Sequence, residues 1–327
     1  MNAEHIARNY NTTFTQLHKQ FKWTNKTVLM AAAAMYTMKS KAFDLETFKH
    51  TADSIKSEAS LFSSMRSHPR FTTAAILAVN FDDPVKHIPR LFAIYKDLIQ
   101  KFKRGNFTYI AATIILTNDE LIQQEELGEL VSRAKIIYDK MKKEHPFLTG
   151  QSDYPLATIL AYENRDNIGQ HMEYFYDKLN DNHFSKGNNL QFLSHILSLA
   201  PSGENADILI NRTIQIYDAF KRVDIKQKSV YYPVMGMLSL LPPEEVYMEE
   251  VANIHKELNT LKHFKWQKDL NVMLAGGFYV SEKLNHSNIT ETSIYTAVES
   301  IIQAQQAVMM ATMAGGIAAA SNSGGSN

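Results

Sequence analysis

Apolar residues along this chain fall at gaps of three and four, in a unit that repeats. In the clearest copy, Val85, Ile88, Leu91, Phe92, Tyr95, Leu98, Ile99 and Phe102 line one face of a helix. The segment before it, 71–79, is short and apolar, and Asn80-Phe81-Asp82-Asp83-Pro84 separates the two. Asn and Asp cap helices and Pro suits a first turn, so the break predicts a short helix, a turn and a long amphipathic helix. Short apolar segments return at 107–117, 154–162, 191–200, 231–241 and 269–278, and a long stretch follows each of the first four. Near the N-terminus, Tyr10, Phe14, Leu17, His18 and Phe21 form a helical stripe, and 28–38 is dense in Ala and Met. Small residues admit a close neighbour and Met fills gaps, so 28–38 reads as a buried helix. The stretch 43–66 is expected to hold the next long helix, burying Leu45, Phe48, Ile55 and Phe62. Gly105-Asn106 reads as the stop of the helix that ends near Phe102. No segment alternates with period two, so no sheet is expected.

The long stretches share a five-residue phrase. It reads Ile94-Tyr95-Lys96-Asp97-Leu98, Ile137-Tyr138-Asp139-Lys140-Met141, Phe175-Tyr176-Asp177-Lys178-Leu179, Ile216-Tyr217-Asp218-Ala219-Phe220 and Ile254-His255-Lys256-Glu257-Leu258. Weaker echoes surround His18, Phe62 and Tyr295. The second positions are spaced by 44, 33, 43, 38, 41, 38 and 40 residues, a mean of about 40, where repeats mean stacked helical units. The fold class expected is all-α: seven or eight helical hairpins stacked as a right-handed solenoid, distantly like HEAT or tetratricopeptide arrays. A closed α/α toroid is the alternative. Residues 1–306 read as one repeat domain, and 307–327 as a low-complexity Ala/Met segment with a Gly/Ser/Asn tail. The Met-rich end is expected to close the last repeat, or else to present a soft surface to a partner. The recurring Tyr places a ring at the edge of the buried face. A stacking platform for bases is the sharper alternative, but the phrase sets Asp after Tyr in three copies.

Charge and composition narrow the partners. Lys+Arg and Asp+Glu both number 34, so no whole-surface field attracts nucleic acid or an anionic membrane. The basic runs Lys101-Phe102-Lys103-Arg104 and Lys140…Lys142-Lys143 fall at predicted helix ends, where cations suit the dipole. With no cysteine, disulfides, thiolate nucleophiles and Cys-ligated metals are excluded. The N-terminus lacks an apolar signal core, and no stretch of about 20 residues is continuously apolar. A cytoplasmic address is expected, with no membrane span and no nucleic acid.

Local catalytic signatures are missing: there is no His-Glu-x-x-His, Gly-x-Ser-x-Gly, P-loop or Gly-x-Gly-x-x-Gly. No cofactor or metal is therefore expected. Ser194 and His195 are neighbours, and on a helix they point about 100° apart, which does not make a nucleophile and base. Arg66…His68-Pro69-Arg70 can hold an anion or be a solvated turn. His171-Met172-Glu173 opens like a deaminase signature whose Cys ligands this chain lacks. In a hairpin stack, loops of one class share an edge. The loops before the short helices therefore give a candidate binding edge at Asn106, Asp153, Asn188 and Asn189.

Two runs carry a resemblance: Phe147-Leu148-Thr149-Gly150…Asp153-Tyr154-Pro155-Leu156-Ala157-Thr158-Ile159-Leu160-Ala161, and Gly187-Asn188-Asn189-Leu190-Gln191-Phe192-Leu193-Ser194-His195-Ile196-Leu197. They resemble an uncharacterised bacterial "domain of unknown function" family, mostly of Gram-positive spore-formers. The resemblance implies a bacterial cytoplasmic protein and transfers no activity or site residues. Two functions stay open: a scaffold binding a protein or peptide along its concave face, and an enzyme or small-molecule binder with a pocket assembled from several repeats.

Overall fold

The computed structural model describes residues 2–118, 126–163, 165, 167–201 and 203–286. The Met-rich segment, the C-terminal tail and the echo around Tyr295 lie outside them. Among the described residues the chain is all-helical, with fourteen α-helices and no strand. In order they are α1 (Ala3–Gln20), α2 (Lys26–Met38), α3 (Leu45–Glu58), α4 (Pro69–Asn80), α5 (Ile88–Leu98), α6 (Asn106–Thr117) and α7 (Leu127–Glu144). There follow α8 (Tyr154–Leu160), α9 (Ile168–Asn180), α10 (Asn188–Leu197), α11 (Ala206–Arg222), α12 (Tyr232–Ser239), α13 (Met248–Thr260) and α14 (Lys268–His286). No helix of these residues is long and apolar enough to cross a membrane.

The chain packs as two compact units. Among the described residues, the first comprises Tyr10–Ser132 with Gln151–Thr158, and the second comprises residues 2–9, Arg133–Gly150 and 159–286. In the first unit α3 pairs with α4 and α5 with α6, while α2, α4 and α6 lie side by side. The second unit repeats the scheme: α9, α11 and α13 pair with α10, α12 and α14, and α10, α12 and α14 adjoin in sequence.

Burial separates the two helix kinds. All eight residues of α12 are buried, and so are Val28–Tyr36 of α2. The long helices bury a stripe, such as Val251, Ile254 and Leu258 of α13. The phrase explains the stripe. Its first and fifth positions lie one turn apart on one face, and all ten such residues, from Ile94 and Leu98 to Ile254 and Leu258, are buried. The second position sits at the stripe's edge, where Tyr95 stacks on Tyr109 at 3.7 Å and Tyr217 lies 4.8 Å from Phe184. The third position (Lys96, Asp139, Asp177, Asp218, Lys256) is exposed throughout.

Caps set the boundaries. Asn25 accepts from the Thr27 N–H, Asp44 from Glu46 and Thr47, and Asn205 from Asp207 and Ile208. After α9 and α11 the chain turns through left-handed His183 (φ 74°) and Asp224 (φ 59°). The next N–H groups, of Phe184 and Ile225, donate to Leu179 O and Phe220 O and close the helix ends. Both side chains are then buried as plugs.

Three expectations are corrected. The helix expected to start at Val85 begins at Ile88, after a 3-10 turn over Pro84–His87, because Pro89 belongs in a first turn. Gly105 does not stop that helix, which ends at Leu98. It is the N-cap of α6, at φ 156°, and Gly187 occupies the same place before α10 at φ 139°. Phe62 is not on a helix, since α3 ends at Glu58, and its ring is fully exposed.

Candidate functional site

The polar centre of the second unit forms where α7 ends. The Thr149 N–H donates to His145 O, and the Thr149 hydroxyl donates to Met141 O at 3.0 Å while accepting from Gln191 Nε2 at 2.8 Å. That ties the end of α7 to α10. On α10 and at its C-cap, Gln191, Ser194, His195 and Ser198 recur at helical spacing, and all four are buried. Ser194 and Ser198 donate back to Gln191 O and Ser194 O. The Gln191 Oε1 and His195 Nδ1 atoms are buried without a hydrogen-bond partner among the described residues. From α9, Glu173 Oε2 lies 3.1 Å from His145 Nε2, and the His145 ring packs 4.4 Å from Tyr176.

These surroundings perturb titration. Burial, with the nearby His145 adding to it, lowers His195 to about 3, so its imidazole is neutral at any ordinary pH. Burial raises the Glu173 carboxyl against the pull of His145, and Glu144 and Asp177 add to the rise. On α9, burial and then Arg165 lower His171. The arrangement offers Gln191 Oε1 and His195 Nδ1 as buried hydrogen-bonding atoms, with Glu173 and His145 3.1 Å apart nearby. Among the described residues, no group of three or more His, Asp or Glu is placed to hold a metal ion.

Beside this centre, a cleft of about 630 Å³ opens between α7 and α9, lined by Lys140, Lys143, Glu144, Gln170, Met172 and Glu173. A second, of about 200 Å³, opens between α11 and α13 and is lined by Arg212, Arg222, Met248 and Glu249 among others. Each combines a methionine with charges of both signs.

The four residues of the expected edge occupy corresponding places. Asn106 and Asn188 open α6 and α10, Asn189 follows, and Asp153 precedes α8 in a 3-10 turn. Within the first unit, Phe21 lies 4.8 Å from Phe71, Ser63 bonds the Tyr109 hydroxyl at 2.9 Å, and Phe102 lies 4.7 Å from Tyr154. Within the second, Asn189 Nδ2 donates to Ser229 Oγ, and Asp269 accepts from Lys228 Nζ and the Tyr231 hydroxyl, both at 2.6 Å. In each unit, then, the segment before one short helix touches the start of the next. Asn106 and Asp153 belong to the first unit, Asn188 and Asn189 to the second.

Other candidates resolve differently. Arg66 donates to the Lys56 and Ala59 carbonyls, which closes the end of α3, and Arg70 donates to the Arg66 and Ser67 carbonyls of the turn before α4. Ser194 bonds backbone and not His195. His145, Glu173 and His195 were not singled out together from the sequence because they come from three elements. Equally unforeseen are the exposed rings of Trp23, Phe62, Phe147 and Trp266. All four stand in connections that run from an amphipathic helix to a more deeply buried one. For Trp23 and Trp266 the sequence signal is an aromatic between polar neighbours, off the three-four stripe.

Pairs of an amphipathic helix and a more deeply buried one, packed within two units, define an all-helical protein. The chain belongs to the family described as "Protein of unknown function (DUF4003)", whose model matches residues 13–307. It is 34% identical over 319 residues to "Uncharacterized protein YeaA" of Bacillus subtilis (strain 168), covering 96% of this chain and 95% of that one. No solved structure matches it.

Proposed function

We propose that the protein is a helical-repeat scaffold that binds a protein or peptide, with residues 1–306 forming one stack of hairpins. The observation that carries this reading is the repeated cleft between successive long helices, α7/α9 and α11/α13, each open and each pairing a Met with charges of both signs. Open, mixed grooves suit an extended peptide better than they suit a small reactant that must be sealed from water. The short helices are too buried to offer a concave face, so the partner is assigned to the long-helix side. Photo-crosslinkers at Gln170 and Gln215, one in each cleft, test this in living cells. One discrete protein captured from both positions, and displaced when its own peptide is added to purified protein, is the expected result. Different products at the two positions, or no displacement, refute it.

A second reading rests on the polar centre. His145, Glu173, Gln191 and His195 make the best place for a small polar ligand. A thermal-shift screen of polar metabolites tests it: a hit should raise Tm in the native chain and lose its effect in Glu173→Gln. A hit that persists in that variant assigns the ligand elsewhere.

A further inference from the structure

The connections before α2, α4 and α6 gather at one end of the first unit, through the Phe21–Phe71 and Ser63–Tyr109 contacts. They span residues 21–25, 59–68 and 99–105, and their chemistry is one-sided. They contain Lys22, Arg66, Lys101, Lys103 and Arg104, all exposed, and no Asp or Glu. Among the described residues, the connections after the short helices of the same stretch, 39–44 and 81–87, are mixed instead, with three Asp against three Lys. The run Lys101-Phe102-Lys103-Arg104 closes and follows the last turn of α5, and it extends past what the helix dipole alone calls for, to Lys103 and Arg104. Phe102 turns inward as a plug and leaves the three cations outside.

The same end carries bare apolar side chains. Trp23 is 96% exposed, Leu61 is 79% exposed and Phe62 is fully exposed. Water gives no reason to hold an indole, an isobutyl group and a phenyl ring outward in adjoining loops. We propose that this end of the first unit docks on an anionic lipid bilayer, with Trp23, Leu61 and Phe62 entering the interface and the cations meeting headgroup phosphates. Aromatic side chains favour the bilayer interface, and Lys and Arg near an anionic leaflet are attracted to it. Leu61 decides against a nucleic acid, which gains from flat rings that stack on bases and gains nothing comparable from an isobutyl group. The mode is peripheral: it needs no spanning helix.

The chain has two tryptophans. Trp266→Phe, a change at an exposed ring, leaves Trp23 as the sole indole reporter in an otherwise intact protein. The experiment titrates this protein with vesicles of equal parts phosphatidylglycerol and phosphatidylcholine, and with phosphatidylcholine alone. The expected result is a blue shift of Trp23 emission and quenching by brominated lipid on the anionic vesicles only, weakening as salt screens the charges. Lys101→Glu/Lys103→Glu and, separately, Leu61→Ser/Phe62→Ser should each weaken binding at least about tenfold, and unchanged circular dichroism would show that they fold. No shift on anionic vesicles overturns the proposal. So does binding that both variants retain, or binding to a labelled DNA duplex with none to vesicles.

Discussion

His195 is buried on α10, and that makes its proton a reporter of folding. Its folded pKa, about 3, is below the value of about 6.5 that the unfolded chain offers. Below pH 6.5 the unfolded chain takes up a proton that the folded one refuses, so this stability is complete above about pH 6.5. It is lost as the pH falls towards 3. At pH 5 the loss is about 2 kcal/mol. Urea unfolding at pH 7.5 and pH 5 should show it, and His195→Gln should shrink the difference between the two pH values by that amount. An unchanged difference would mean that the imidazole is hydrated. Backbone is as telling at Gly187, whose φ of 139° favours glycine. Gly187→Ala should cost about 1–3 kcal/mol. Gly128→Ala in α7, where an added methyl meets nothing, should be neutral or gain up to about 1 kcal/mol. The glycine before Asn106 was legible as a break, but not as the start of α6. Spacing shows where a helix stops being amphipathic, and only φ shows which helix the glycine serves.

At the scale of elements, the period of three and four was enough to find the helices because each long one buries a single stripe. The short ones were legible for a different reason: they are apolar on all sides because they are buried on all sides. What spacing cannot show is how closely two such helices approach. A Cβ at Gly276 of α14 would lie 2.2 Å from Val234 Cγ1 of α12, and one at Gly236 would lie 2.8 Å from Leu193 Cδ1. Val is stiff at its first torsion, so α12 and α14 would have to separate. Gly276→Ala should therefore destabilise by about 1–3 kcal/mol despite the helix propensity it adds. Val234→Ala made in the same chain should recover part of the loss, a coupling that thermal melts of the four proteins measure. A Gly276→Ala protein that melts at or above the native temperature would show that the contact relaxes freely. The echo at Phe62 misled for the complementary reason. It matched the phrase in spacing, but Ser63, Ser64 and Pro69 favour turns and α3 had already ended.

At the scale of the whole molecule, zero net charge concealed a division. Residues 1–118 contain 16 Lys and Arg against 8 Asp and Glu, which leaves +8, and the remaining residues balance them with −8. The total was the wrong quantity, because a field acts through local density and is screened beyond about 8–10 Å in ordinary salt. Counting by connection class recovers what the total hides, and it needs the fold to say which connections adjoin. The clefts and the polar centre were illegible for the same reason, since His145, Glu173 and His195 meet only after three helices pack. Segregation of this kind has a consequence independent of any ligand. Near pH 7.2, the pI of the sequence, a protein with evenly mixed charge passes through a cation exchanger. This one should be retained at low salt by the patch around Lys101, Lys103 and Arg104. Lys101→Glu/Lys103→Glu should release it at much lower salt. Lys178→Glu/Lys221→Glu, an equal change of net charge at exposed positions of the second unit, should shift elution less. Equal shifts from the two double variants would mean that the exchanger reads net charge alone, and that the basic connections do not act together.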